Sequence, residues 1–281
     1  MPRRRPARHL VRRSGGFALL IVLWTLVLIA FIVAHLTASG RTEIRIAGNL
    51  VADAVAEAAD DGAIFAAVFN QLDPNPDQRW PLNGQAHEVT IGNRRVMVQL
   101  EDEAGRINPS TASAALLEAL LRITGSDAES ARRLAAAIGE WAGSAAVARS
   151  HDAVVADYQA AGLDYRPPGE PLETLDELGR VIGMTPAVLA AIRPHLSLFA
   201  PPVPNPASAD SVVAEAVAES AQASQAPIPA NQPLPDLFTV RITATALGPG
   251  TARVTRRAIV RVGAMLPGGY TVLAWGGSGF D

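Results

Sequence analysis

Six carboxylates are the residues of this chain best placed to do chemistry. Glu101, Asp102 and Glu103 are contiguous, and Asp152, Asp157 and Asp164 follow within RSHDAVVADYQAAGLDYRPPGE, which reads as an irregular stretch. Oxygen donors in that number suit calcium, although the spacing is not that of an EF-hand loop, so solvated loop acids and helix caps are the competing reading. The five histidines, His9, His35, His87, His151 and His195, are scattered, with none in the paired spacing of a zinc helix. The absence of cysteine removes thiolate ligands, a thiol nucleophile and disulfides. No glycine-rich loop leads into a helix, and Gly276-Gly277 lies at the end of the sequence. The residues therefore point away from an enzyme, and no motif requires a cofactor; calcium is the one ion the acids offer to hold. Leu175 to Ile192 reads as two short helices around Gly183-Met-Thr-Pro, a hairpin whose amides can hold a DNA phosphate. With only Arg180 and Arg193 nearby and an acidic chain overall, a structural or protein-binding use is favoured.

These residues hang on an unusual N-terminus. Six arginines (Arg3, Arg4, Arg5, Arg8, Arg12, Arg13) precede Ser14-Gly15-Gly16, and an apolar run of 20 residues follows from Phe17 to Leu36. Such a run spans a hydrocarbon core of roughly 30 Å as a helix. The positive-inside rule keeps the arginines in the cytoplasm and exports everything beyond Leu36. A secretory signal places its small residues after the apolar stretch, whereas here they come before it. Cleavage between Gly16 and Phe17 would remove the charges and keep the hydrophobic helix, and in this the segment resembles a type IV prepilin signal. An uncut signal anchor is the alternative. Loss of the six arginines leaves 18 basic against 27 acidic residues, a formal charge of −9, which disfavours nucleic acid as a partner.

Helical periodicity continues past the span, with Ile46, Leu50, Ala54, Ala58, Gly62, Phe65 and Phe69 forming one stripe until Asp73-Pro74-Asn75-Pro76 stops it. The competing reading breaks the helix near Ser39-Gly40. HEVTIGNRRVMVQLED alternates about Gly92-Asn93 as a hairpin. Matching strands close the chain: Phe238 to Ala244, a turn at Gly248-Pro249-Gly250, Ala258 to Val262, and Tyr270 to Trp275. Between the two groups lie short capped helices. Asn108-Pro109-Ser110-Thr111 opens the first, Ser126 with Glu129 and Thr174 with Glu177 form capping boxes, and Thr185-Pro186 opens the last. The stretch 220–236 is rich in Ala, Gln, Ser and Pro and reads as a linker. Trp141, Tyr158, Tyr165 and Trp275 serve either as interface anchors or as core. The economical architecture is α+β, with a long N-terminal helix packed on an antiparallel sheet and an all-α domain inserted between strands. Its parts are a leader (1–16), a spanning segment (17–36), an exported helix with the first strands (37–101), the inserted helical domain (102–210), a linker (211–235) and the closing strands (236–281).

The chain resembles minor pseudopilin K of type II secretion systems, the general secretion pathway protein K family. The likeness rests on the leader, on Glu101-Asp-Glu-Ala-Gly-Arg-Ile-Asn108 with Pro-Ser-Thr-Ala, on Leu175-Asp-Glu-Leu-Gly-Arg-Val-Ile-Gly-Met-Thr-Pro186, and on Asn205-Pro-Ala-Ser-Ala209. The resemblance implies a pseudopilin fold with a helical insertion, cleavage by prepilin peptidase between Gly16 and Phe17, N-methylation of Phe17 and residence in the inner membrane with the bulk periplasmic. Implied partners are minor pseudopilins I and J, then H and the major pseudopilin G, and the inner-membrane assembly platform. The implied task is to form the tip of the pseudopilus and initiate its assembly for export of folded proteins. Counted from Phe17, the fifth residue is Ile21, where pilins and most pseudopilins carry a glutamate that pairs with a neighbour's amine. The K family resembles this chain in lacking it, which fits a subunit with none above it; a better membrane anchor is the plainer reading of Ile21. The alternative function is a minor pilin of a type IV pilus or DNA-uptake apparatus, with the hairpin binding DNA.

Overall fold

Helix α1 runs from Gly15 to Gln71 without a proline, and it continues through Ser39-Gly40. The computed structural model describes residues 15–144, 150–247 and 253–277; the leader arginines and the Gly248-Pro249-Gly250 turn lie outside them. Two units are distinguished, one ending at Ala54 and the other comprising Val55 onward. In the first, every side chain from Phe17 to His35 is exposed, as an apolar surface meant for lipid would be.

In the second unit, α1 ends where Asp73 Oδ1 accepts the Asn75 amide at 2.8 Å ahead of the second proline. Strands β1 (Asn83–Ile91) and β2 (Arg94–Asp102) form the expected hairpin, with Gly92 at a positive φ that admits the two-residue turn. Strands β3 (Leu237–Leu247), β4 (Arg253–Gly263) and β5 (Tyr270–Gly277) complete an antiparallel sheet in the order β1-β2-β3-β4-β5. β2 and β3 are neighbours in space, Leu100 opposite Ile242 and Asp102 opposite Val240. Everything between them in sequence is therefore an insertion into one sheet.

The inner face of the sheet is apolar by strict alternation, with Val96, Val98 and Leu100 on β2, Val240 to Ala246 on β3, and Ala258 to Val262 on β4. The part of α1 that covers it uses Ala56, Ala59, Ala63, Ile64, Ala67 and Val68. This corrects the expected stripe, since Phe65 and Phe69 are exposed, as are Ile46 and Leu50. Valines, Ile242 and Leu100 occupy much of the sheet's inner face, and the helix meets it mainly through alanines, with Phe65 at the margin beside Trp275 and Phe69 turned outward.

The insertion has its own core. It comprises α2 (Ala114–Ile123), α3 (Ala128–Trp141), α4 (His151–Ala160), α5 (Pro186–Ile192) and α6 (Ser211–Ala223), with a 3-10 turn at Leu175–Arg180. Three readings of the sequence need correction here. The 211–235 linker begins with α6, which packs against α2 through Val213, Ala216 and Val217. Its alanines suit close helix packing, and composition alone could not separate them from the Ala/Gln/Pro tract beyond Ser224. Asp127, not Ser126, caps α3 by accepting the Ser130 amide at 2.9 Å. The stretch around Asp152 is a helix, α4, capped by Ser150. Thr185 caps α5 at Val188, and Glu177 accepts the Thr174 amide at 2.8 Å, both at the expected positions.

Candidate functional site

The six predicted carboxylates do not converge. Glu101, Asp102 and Glu103 end β2 and enter a 3-10 turn at Glu103–Gly105, whereas Asp152 and Asp157 are exposed on α4 and Asp164 is exposed beyond it. Among the described residues, no group of three or more His, Asp or Glu side chains is arranged to hold a metal ion. The first three are already engaged. Glu101 takes Arg106 at 2.6 Å, Asp102 accepts the Ala104 amide and the Ser208 hydroxyl, and Glu103 takes Arg241 at 2.6 Å. The donor set does not fit a calcium cage shared by all six residues.

The acidic run instead builds the junction between module and sheet. Glu103 is fully buried and Arg241 nearly so, which makes their pair one that the interior cannot release cheaply. Ala104 accepts the Asn205 amide at 2.7 Å, and Gly105 lies so close to Ser208 that an added Cβ would stand 2.1 Å from its carbonyl oxygen. Ile107 exchanges backbone bonds with His195 and Ser197, while the Asn108 side chain donates to Leu198 and Ala200. Asn205 in turn ties Gln232 through both its oxygen and its nitrogen, at 3.1 and 2.9 Å. Thus EDEAGRIN, near the start of the insertion, and NPASA, near its end, are sewn to each other and to β3. Sequence reading found both motifs but neither that Ser208 of the second bonds Asp102 of the first nor that Arg241 of β3, which nothing local marks, pairs with Glu103.

Deeper in the module, Trp141 and Tyr158 are core residues, with the Tyr165 ring completing a cluster at centroid separations of 6.0 to 6.2 Å. The Tyr158 hydroxyl accepts the Ile182 amide at 3.0 Å, and burial raises the tyrosine's pKa. Tyr165 donates to the Arg180 carbonyl at 3.1 Å, and Arg193 pairs with Asp176 at 2.6 Å. The hairpin around Gly183 is therefore braced by the module's own side chains. Asp210 caps α6 and meets His195 at 2.7 Å; burial raises its pKa, but the Val213 amide and His195 outweigh that and the net shift is downward.

At the other end, Phe17–His35 is a span with a mean hydropathy of 3.0, long and apolar enough to cross a membrane. The Thr25 hydroxyl donates to the Val22 carbonyl at 2.9 Å, which meets its need for a partner within the helix. Ile21 is half exposed on this surface. Gly15 and Gly16 begin α1. Beyond Ala54, the Phe65 ring meets Trp275 of β5 in a tilted contact at 5.3 Å, and Phe69 projects into solvent at 79% exposure.

A long N-terminal helix laid on a five-stranded antiparallel sheet, with a helical domain between its second and third strands, defines the chain as a pseudopilin-fold protein with an inserted module. Residues 96–201 match the family model described as type II secretion system (T2SS), protein K. In fold it is similar to a chain of the crystal structure of the GspK-GspI-GspJ complex from the enterotoxigenic Escherichia coli type 2 secretion system. The TM-score is 0.51 at 18% sequence identity, covering 85% of this chain and 98% of that one. No significant match is found among curated proteins.

Proposed function

We propose that this chain is the minor pseudopilin that forms the tip of a type II secretion pseudopilus and initiates its assembly, so that folded proteins are exported across the outer membrane. In this reading prepilin peptidase cuts between Gly16 and Phe17, Phe17 is N-methylated, and the apolar helix stays in the inner membrane with the rest of the chain in the periplasm. Minor pseudopilins I and J are its immediate partners, with H, the major pseudopilin G and the inner-membrane assembly platform beyond them. The observation that carries the reading is the helical module between β2 and β3, which coincides with most of the stretch matching protein K. Ile21 supports the tip position: a subunit without an acidic residue there cannot offer a carboxylate to the amine of a subunit above it. The protein acts structurally in this scheme.

The test is co-expression of the full chain with I and J homologues, followed by detergent extraction and size-exclusion chromatography. A ternary complex that persists at micromolar concentration is expected. Its absence, with each subunit folded on its own, would refute the assignment.

A further inference from the structure

Asp60 lies on the sheet-facing side of α1, fully buried, and neither of its carboxylate oxygens makes a hydrogen bond of good geometry, the Ala246 amide pulling on it only weakly. The seam around this level of the helix is lined by Ala56, Ala63 and Ile64 from α1 and by Ala244, Ala246 and Ala258 from the sheet. A charge there is poorly solvated, whereas a protonated carboxyl is tolerated. The charged groups around the seam do not relieve it. Glu57 and Asp61 share the helix and are acidic. Arg256 of β4 is held by Asp61 at 3.0 Å, and Arg94 occupies the end of β2's inner face. β3 contributes only the Ala246 amide, His87 of β1 is stacked on Trp80 at 4.9 Å, and Tyr270 of β5 is the remaining titratable side chain packed against this core.

We propose that Asp60 makes the seam between α1 and the sheet proton-operated: the protonated carboxyl lets residues 56–68 lie closed on the sheet, and ionisation shifts that seam toward an open, hydrated state. Burial is the largest influence on the group, followed by the Asp61 charge, and together they push its pKa up to about 7, with the Ala246 amide and Arg256 pulling the other way. In the open seam the carboxyl returns to an ordinary value of about 4. Between those two values the closed state holds the extra proton, so raising the pH favours opening, and above the higher value the effect levels off.

The experiment uses the full chain in detergent micelles and compares hydrogen exchange of peptides covering 55–71 with that of Asp60→Asn, pH by pH, so that intrinsic exchange cancels. The ratio of wild-type to variant exchange is expected to climb by up to about tenfold per pH unit from about pH 5 to about pH 7 and then flatten. A ratio that stays constant across this range would overturn the proposal. Infrared difference spectra of the wild type between about pH 5.5 and about pH 8.5 provide a second readout. A buried carboxylic-acid band that is lost at the higher pH, and missing from the variant, is expected; no such band in the wild type would also overturn it. If Asp60→Asn does not fold, Asp60→Leu serves as the non-titrating reference.

Discussion

Substitution of Arg241 by methionine should be the most damaging single change to the junction between module and sheet. The guanidinium Nε stands 2.6 Å from Glu103 Oε1, and Glu103 is 0% exposed. Its second oxygen, Oε2, already lacks a partner, so removing Arg241 leaves a whole carboxylate buried and uncompensated. Breaking a buried pair from one side costs about 3–5 kcal/mol. At about 2–4 °C per kcal/mol for a domain of this size, the melting temperature should fall by roughly 6–20 °C. The double variant Glu103→Met with Arg241→Met replaces the pair by apolar side chains of similar length and should recover most of that loss, because the desolvation cost of both charges disappears with them. The assay is thermal unfolding of the detergent-solubilised chain, followed by circular dichroism, for wild type, both single variants and the double. A loss below about 1 kcal/mol for Arg241→Met, or a double variant no more stable than the worse single, would show that the pair is not coupled as the geometry requires.

Gly105→Ala should destabilise the same junction by at least about 2 kcal/mol, because the obstacle at 2.1 Å is the Ser208 backbone and cannot rotate away; Gly48→Ala, with nothing within 4 Å of its Cβ, is the control and should cost nothing. Tyr158→Phe removes the acceptor of the Ile182 amide, and a loss of about 1–3 kcal/mol in chemical denaturation is expected. Phe69→Ser, at a side chain that is 79% exposed, should leave the melting temperature within about 1 °C yet weaken co-purification with I and J homologues; unchanged recovery would remove this face from the assembly surface. Intact mass of the membrane-extracted chain should correspond to a sequence beginning at Phe17 with one added methyl group, and a retained leader would end the cleavage proposal.

The architecture was legible wherever a local rule was strong. Proline and asparagine at 73–76 end α1 because the ring removes a helix donor, and Gly92-Asn93 turns the hairpin because glycine accepts positive φ. The face of α1 was misjudged for a reason that also has a physical basis. Hydrophobicity ranks phenylalanine above alanine, but a helix lying on a sheet already dense with valine and isoleucine needs small residues at the contact, and its larger ones are left for another surface. The acidic run shows the same limit. Contiguous carboxylates look like ligands until the fold brings them Ser208, from a motif about a hundred residues away, and Arg241, which no local pattern marks.

The helix face and the acidic run together point to one feature of the molecule. A helix with its alanines against the sheet, Phe65 beside Trp275 and Phe69 outward keeps an apolar surface exposed at Phe69. A monomer gains nothing from exposing Phe69, and such a surface invites association. The inserted module does not cover that cost through its acidic entry, since Glu101 to Glu103 are spent on the junction with the sheet. Stability is thus concentrated inside the sheet, the module and the seam between them. The exposed side chains of α1 among the described residues are left for contacts outside the chain, the division of labour that the proposed role as a membrane-anchored subunit of a larger assembly requires.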